Sequence, residues 1–261
     1  MIPAMPTMMP AWNGRLIVAL LTVGTIPGHA RAQGVDTVRV GSPSLAGATL
    51  TEGTTVFESH ILDSGKNTPL STTEVTVSRR RSGQEDAYVI HSVHASSDGD
   101  TTVGTIVVRA TDFALLHHRV KAETDSAAVT STGDHITGWV VLPGEPTRLI
   151  DLDLDHPVFP VDGPQPWLVS LLPLREGYAA AIPRFSQWSG GEEWKEVSVL
   201  GSETLDVDGM QVDCWVVDMG TLGPPGYRVT GWVDKSDGGV VRGVLRGEAG
   251  QPEYWVIATD G

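Results

Sequence analysis

From residue 54 onward, apolar and polar side chains alternate one by one in run after run, and clusters of turn residues separate the runs. A period of two places successive side chains on opposite faces of an extended chain, so this pattern excludes a helical bundle and predicts half-buried β-strands. The first runs are TTVFESHIL (54–62), TEVTVSR (73–79), AYVIHSVHA (87–95), TTVGTIVVRA (101–110) and ALLHHRVKA (114–122), all rich in Val, Ile and Thr. Between them, DSGKNTP (63–69), RSGQED (81–86) and SSDGD (96–100) carry the residues that reverse a chain. A repeat of roughly a dozen residues predicts antiparallel strands joined as a meander.

The alternation continues through SAAVTST (126–132), HITGWVVLP (135–143) and TRLIDLDL (147–154), then breaks over 155–177, a proline-rich stretch. Within it, PQPWLVSLLPL (164–174) predicts a short helix, with Pro166 in its first turn and Pro173 ending it. Strands resume over 178–185, 193–207, 210–219, 227–234, 239–246 and 253–260. No low-complexity linker divides them, so residues 33–261 read as a single β-rich domain, a split near 155–177 being the alternative. TGWV occurs at Thr137–Val140 and again at Thr230–Val233, too short a match to establish a duplication.

The N-terminus has the pattern of an export signal. Arg15 precedes the apolar run Leu16–Ile26, Pro27 and Gly28 break it, and Ala30-Arg31-Ala32 forms an A-x-A site. The run is shorter than the ~20 residues a membrane-spanning helix needs. Cleavage after Ala32 is expected to leave a soluble chain starting at Gln33, without a transmembrane anchor, exported to the periplasm or secreted. Loss of Arg15 and Arg31 makes the formal charge of −14 more negative still. Such acidity disfavours nucleic-acid binding, which requires clustered cations. The one basic run, Arg79–Arg81, reads as a solvated strand end. With one cysteine, Cys214, no intramolecular disulfide forms.

The C-terminal third carries a combination of motifs: Gly201-x-Glu203, Val207-Asp208-Gly209, Val212-Asp213-Cys214-Trp215-x-Val217, Gly231-Trp232-Val233-Asp234 and Gly238-Gly239-Val240-Val241-Arg242. Over residues 200–246 this resembles the DUF3108 family of exported bacterial proteins. The resemblance implies a strongly curved antiparallel sheet, a half-barrel or open β-barrel in the style of the lipoprotein carriers LolA and LolB and the mycobacterial LppX. A helix or loops near 164–174 would lie in its concave face. It implies no catalytic residue.

No constellation of reactive side chains stands out. Cys214 shares a strand face with Val212 and Val216 and reads as a small buried hydrophobe. His91 and His94 fall on opposite faces, as do His117 and His118, so neither pair has metal-ligand spacing on a strand. A zinc site from His60, His91, His117 and His135 would have to be assembled by the fold. Asp151, Asp153 and Asp155 share a face but lack the glycine and distal Glu of a calcium loop. Asp63-Ser64-Gly65 matches the D-[ST]-G of aspartic proteases but has no second copy, so a hairpin turn is expected; Glu192 and Glu193 read as a solvated strand start. No catalytic, metal or cofactor site is predicted, and no cofactor.

Tryptophans at 139, 167, 188, 194, 215, 232 and 255 either anchor the core or line a cavity. The expectation is a non-enzymatic envelope protein that binds a lipid or other apolar small molecule, lined by Trp139, Trp167, Leu171, Leu172 and Trp232. The alternatives are a structural or interaction module with a filled barrel and envelope-protein partners, and a hydrolase whose site is assembled from distant residues.

Overall fold

The computed structural model describes residues 35–161, 167–207, 209–221, 228–247 and 253–259. The expected export signal, Pro166 and the hairpin residue Asp208 lie outside them. Residues 34–261 group as one compact unit.

Strand β1 (Asp36–Thr37) precedes a 3-10 turn at Pro43–Leu45. The first meander is β2 (Gly53–Asp63), β3 (Lys66–Ser82), β4 (Glu85–Ser96), β5 (Thr101–Arg109), β6 (Leu115–Lys121), β7 (Ser126–Thr132), β8 (His135–Val141) and β9 (Arg148–Asp153). A two-residue β10 (Phe159–Pro160) and helix α1 (Trp167–Ser170) occupy the proline-rich stretch. The second meander is β11 (Ala179–Ser186), β12 (Gly191–Val207), β13 (Met210–Thr221), β14 (Arg228–Asp234), β15 (Val240–Arg246) and β16 (Glu253–Thr259).

The strands fall where alternation places them, with β3 much longer than its expected 73–79. The reversals are tighter than composition implies. Ser64 (φ 50°) and Gly65 (φ 80°) alone turn β2 into β3, because a two-residue hairpin of this hand needs positive φ at both positions. Lys66–Pro69 therefore belong to the strand. Pro69 is accommodated beside the register shift between Ser59 and His60, where a missing N–H disrupts least.

The two meanders are not joined in chain order. β16 pairs antiparallel with β2, from Glu253↔Leu62 to Thr259↔Val56, so the sheet runs β11–β16 and then β2–β9. β1 and β10 add parallel to β11. The result is one large curved open sheet. Among the described residues no ladder connects β9 to β11; side chains and a backbone hydrogen bond, from the Leu115 N–H to the Val158 carbonyl at 2.9 Å, span the gap instead. Arg148 of β9 donates to the carbonyls of Gln187 (3.3 Å), Trp188 and Ser189 (3.5 Å) in the β11–β12 turn. Leu115, Val129, Ile136 and Ile150 pack on Val158 and Phe185.

One face of the sheet holds the main core. Tyr88, Ile90, Ile106, Val108, Val217 and Met219 close on Trp167, Leu168, Val169, Leu171 and Leu172. A helix of one turn has no stability of its own. Burial of α1 and its flank holds it, at about 1.5–3 kcal/mol for each fully buried large apolar side chain. Gly138, in the first TGWV, is required by packing: a Cβ there would lie 2.1 Å from the Ala128 carbonyl oxygen across the β7–β8 pair.

His118 faces inward between β5 and β7 with its Nδ1 unpartnered among the described residues. Burial pushes its pKa down to about 4 from 6.5. The unfolded chain therefore takes up this proton at a higher pH than the native protein does. The associated stability is complete above pH 6.5 and is lost as pH falls toward 4, by about 3 kcal/mol. Burial lowers His94 and His117 in the same direction, whereas the Asp153 hydrogen bond raises exposed His135 and opposes them. Urea titrations at pH 7 and pH 4.5 should show a pH-dependent loss of stability that His118→Leu largely removes; an unchanged loss would show that His118 is not its source.

Candidate functional site

Strands of an antiparallel sheet alternate in direction. The C-terminal ends of β3, β12, β14 and β16 therefore gather at the same end as the N-terminal ends of β2, β13 and β15. At that end lies a half-open cleft of about 460 Å³. It straddles the β16–β2 seam, with Ala258 and Thr259 on one side and Thr55 and Phe57 on the other. Val77, Val207, Val212, Val240 and Trp167 extend the apolar wall. Trp167 is only 6% exposed, and its ring N–H finds no acceptor among the described residues. Met210, 59% exposed, lies at the lip.

The polar part of the lining has two kinds of group. Thr49, Thr51, Thr55, Thr259 and Ser170 bring hydroxyls. Asp234 and Asp237 bring carboxylates, each fixed by its own turn: Asp234 Oδ1 accepts from the Ser236 N–H and Asp237 Oδ1 from the Gly239 N–H, both at 2.7 Å. The same turn rests on α1, since a Cβ on Gly238 (φ +77°) would sit 2.9 Å from the Ser170 carbonyl oxygen.

The face of β12–β16 opposite α1 carries a second cluster. Leu205, Cys214, Trp232 and Val244 are buried there. Trp232 Nε1 donates to Glu203 Oε2 at 2.7 Å. The Arg242 guanidinium lies 3.8 Å from the Trp232 ring centre and 5.3 Å from that of Trp255, a cation–π arrangement. Glu203, Trp232 and Arg242, each from a different motif of the C-terminal third, thus meet in one interlock beside Cys214. Burial, then the charge of Asp234, pushes the Cys214 thiol up to about 11, so at neutral pH it is protonated and unreactive.

Of the five side chains considered as a ligand lining, Trp167 borders the cleft. Leu171 and Leu172 stand behind it in the core. Trp232 belongs to the opposite-face interlock. Trp139 lies on β8 across from Leu149 of β9, which is 78% exposed, away from the cleft. The histidines are dispersed: His60 lies 3.4 Å from Glu58, His91 bonds Thr105, His117 bonds Thr130, and His135 bonds Asp153 at 2.6 Å. No three His, Cys, Asp or Glu side chains converge in a metal-holding group among the described residues. Asp151 and Asp153 are exposed on β9, and Asp63-Ser64-Gly65 is the hairpin turn described above. Glu192 is less solvated than expected: it pairs with His156 at 3.1 Å, and His156 receives the Arg39 guanidinium. The cleft residues missed in the sequence, Thr49–Thr51, Asp234 and Asp237, carry only the signal of turn formers.

Fold and cleft together define an open, barrel-like curved β-sheet protein with an amphiphilic cleft at one end of the sheet. The family model described as "Protein of unknown function (DUF3108)" matches residues 56–249, and the chain belongs to that family. Among solved structures, a beta-barrel-like protein of domain of unknown function DUF1849 from Brucella abortus has a TM-score of 0.50 at 10% identity, covering 82% of this chain and 98% of that one. A DUF1329 family protein from Desulfovibrio piger has a TM-score of 0.27 at 13% identity, over 80% of this chain and 85% of that one. A domain assigned to outer membrane lipoprotein sorting, from Vibrio parahaemolyticus, has a TM-score of 0.25 at 9% identity, over 80% and 84%. Of these three, the first alone is alike enough to bear on the fold. No curated protein matches the sequence. No helix among the described residues is long and apolar enough to cross a membrane.

The buried thiol gives a direct check. Native protein at pH 8 should resist a disulfide-exchange reagent such as DTNB and titrate one thiol only after unfolding. Cys214→Ser, which buries a hydroxyl in an apolar site, should cost about 1–3 kcal/mol. Stoichiometric labelling of the native protein within minutes would contradict this placement.

Proposed function

We propose that the protein is an exported, non-enzymatic envelope protein that holds the apolar part of a small molecule in the cleft at one end of its sheet. The cleft itself carries this reading. Its volume of about 460 Å³ falls within the roughly 300–1,000 Å³ usual for small-molecule sites. Phe57, Val77, Val240 and Ala258 give it an apolar part of wall, and its lip carries a flexible methionine, a side chain that suits an adaptable mouth. Trp167 lines the proposed site, with Leu171 and Leu172 as the layer that backs it. Export is supported by the N-terminal pattern of Arg15, the Leu16–Ile26 run and Ala30-Arg31-Ala32.

One observation favours a second reading, an interaction module without a ligand: Leu168, Val169, Leu171 and Leu172 fill the face that a large-cavity carrier would leave open. The two readings separate experimentally. Protein purified natively and extracted with organic solvent should release a bound amphiphile detectable by mass spectrometry. The stripped protein should bind the neutral apolar fluorophore N-phenyl-1-naphthylamine, and Ala258→Phe, which fills the cleft, should weaken that binding at least tenfold while leaving the circular dichroism unchanged. No extracted molecule and no probe binding would favour the module.

A further inference from the structure

We infer that the cleft selects amphiphiles with a cationic or uncharged head group and excludes anionic ones. This rests on the reading of the cleft as a ligand site, and it follows from which charges line that site and which are held away from it.

The charged side chains lining the cleft are both acidic. Asp234 is half-buried in the wall and Asp237 is exposed at the rim. The turn fixes both, because each holds a backbone N–H through Oδ1, so neither swings away when a ligand enters. The cations closest to them in sequence are committed elsewhere. Lys235 Nζ sits 4.6 Å from the Trp215 ring centre and 4.0 Å from Asp213. Arg242 stacks on Trp232 and Trp255 on the opposite face. On β3, across the seam, Arg79 pairs with Asp86 at 3.2 Å and lies over Tyr88. No Lys, Arg or His is among the described residues that line the cleft. A carboxylate, sulfate or phosphate head would thus meet two fixed like charges without a compensating cation.

The remaining polar groups fit a neutral head. Threonine and serine hydroxyls both donate and accept, so they solvate an ester, amide or alcohol without requiring charge. The second observation pointing to a ligand is Trp167. It is more than nine-tenths buried, it lines the cleft, and its N–H has no acceptor among the described residues. An unmade hydrogen bond of this kind is costly. A ligand oxygen near the head group is the missing acceptor. The occupant is thus an acyl or alkyl chain that carries a neutral oxygen near its head, with any charge on that head positive.

Three ligands with the same twelve-carbon chain test this: dodecanoylcholine, monododecanoylglycerol and dodecanoate. Each is titrated into full-length mature protein by calorimetry below its micelle concentration, at pH 7.5 and 0.15 M NaCl. That ionic strength screens charges more than about 8 Å away, so the long-range field of this acidic protein contributes little and the cleft's own charges decide. The cationic and neutral ligands should bind, and dodecanoate should bind at least tenfold more weakly. The double variant Asp234→Asn with Asp237→Asn keeps both Oδ1 acceptors and therefore the turn, which an unchanged melting temperature verifies. It should bring dodecanoate to within about threefold of the neutral ligand by removing both Coulombic penalties. Dodecanoate binding as tightly as the cation, or a preference unchanged in the double variant, would overturn the selectivity and leave the cleft as a ligand site. Failure of all three ligands to bind would overturn both.

Discussion

The architecture depends on one ladder, the antiparallel pairing of the last strand, β16, with the first long strand, β2. Each meander alone would present a long unpaired edge, a template for unwanted strand addition. Their pairing removes two such edges and makes one sheet wide enough to curl around α1. It also creates the cleft, because the walls of that cleft come from both sides of the seam. Whatever the cleft holds is in contact with the joint that unites the two halves of the fold, so ligand binding and the stability of that joint are coupled.

Two further devices hold the curl. On the inner face, Trp167, Leu168 and Val169 act as a plug whose secondary structure is a consequence of its burial. On the opposite face, Glu203, Trp232 and Arg242 tie together strands β12, β14 and β15, each of which has one terminus at the cleft. The motifs by which the C-terminal third resembles its family therefore do more than turn the chain. Their glycines and aspartates shape the turn at the cleft, and their long side chains fix the strands that lead to it. The gap between β9 and β11 is spanned more lightly, by Arg148, a backbone hydrogen bond and an apolar cluster, without a ladder.

Much of this was legible in the residues. Period-two alternation located the strands of both meanders to within a few positions, since a half-buried strand has to alternate. It underestimated β3 because Lys66, Asn67 and Pro69 look like loop residues, and only the two-residue turn at Ser64-Gly65 leaves them in the ladder. Cys214 was readable as packing from Val212 and Val216 two residues away on either side. The β16–β2 pairing was not readable, because local pattern says nothing about which edge meets which across most of the chain. The cleft was hidden for the same reason. Asp234 and Asp237 are turn formers by their local chemistry, and their second role comes from the end of the sheet on which their turn falls. Aromatic content pointed to Trp139 and Trp232 as readily as to Trp167, yet strand direction and face separate the three.

The central claim, that the cleft at the β16–β2 seam is the ligand site, is tested most directly by hydrogen exchange read by mass spectrometry, with and without saturating monododecanoylglycerol. Peptides covering residues 49–57, 167–170, 234–241 and 253–259 should exchange more slowly with ligand, while those covering β6–β9 should not change. Protection confined to β6–β9, or no protection anywhere at a concentration that saturates binding, would contradict the account.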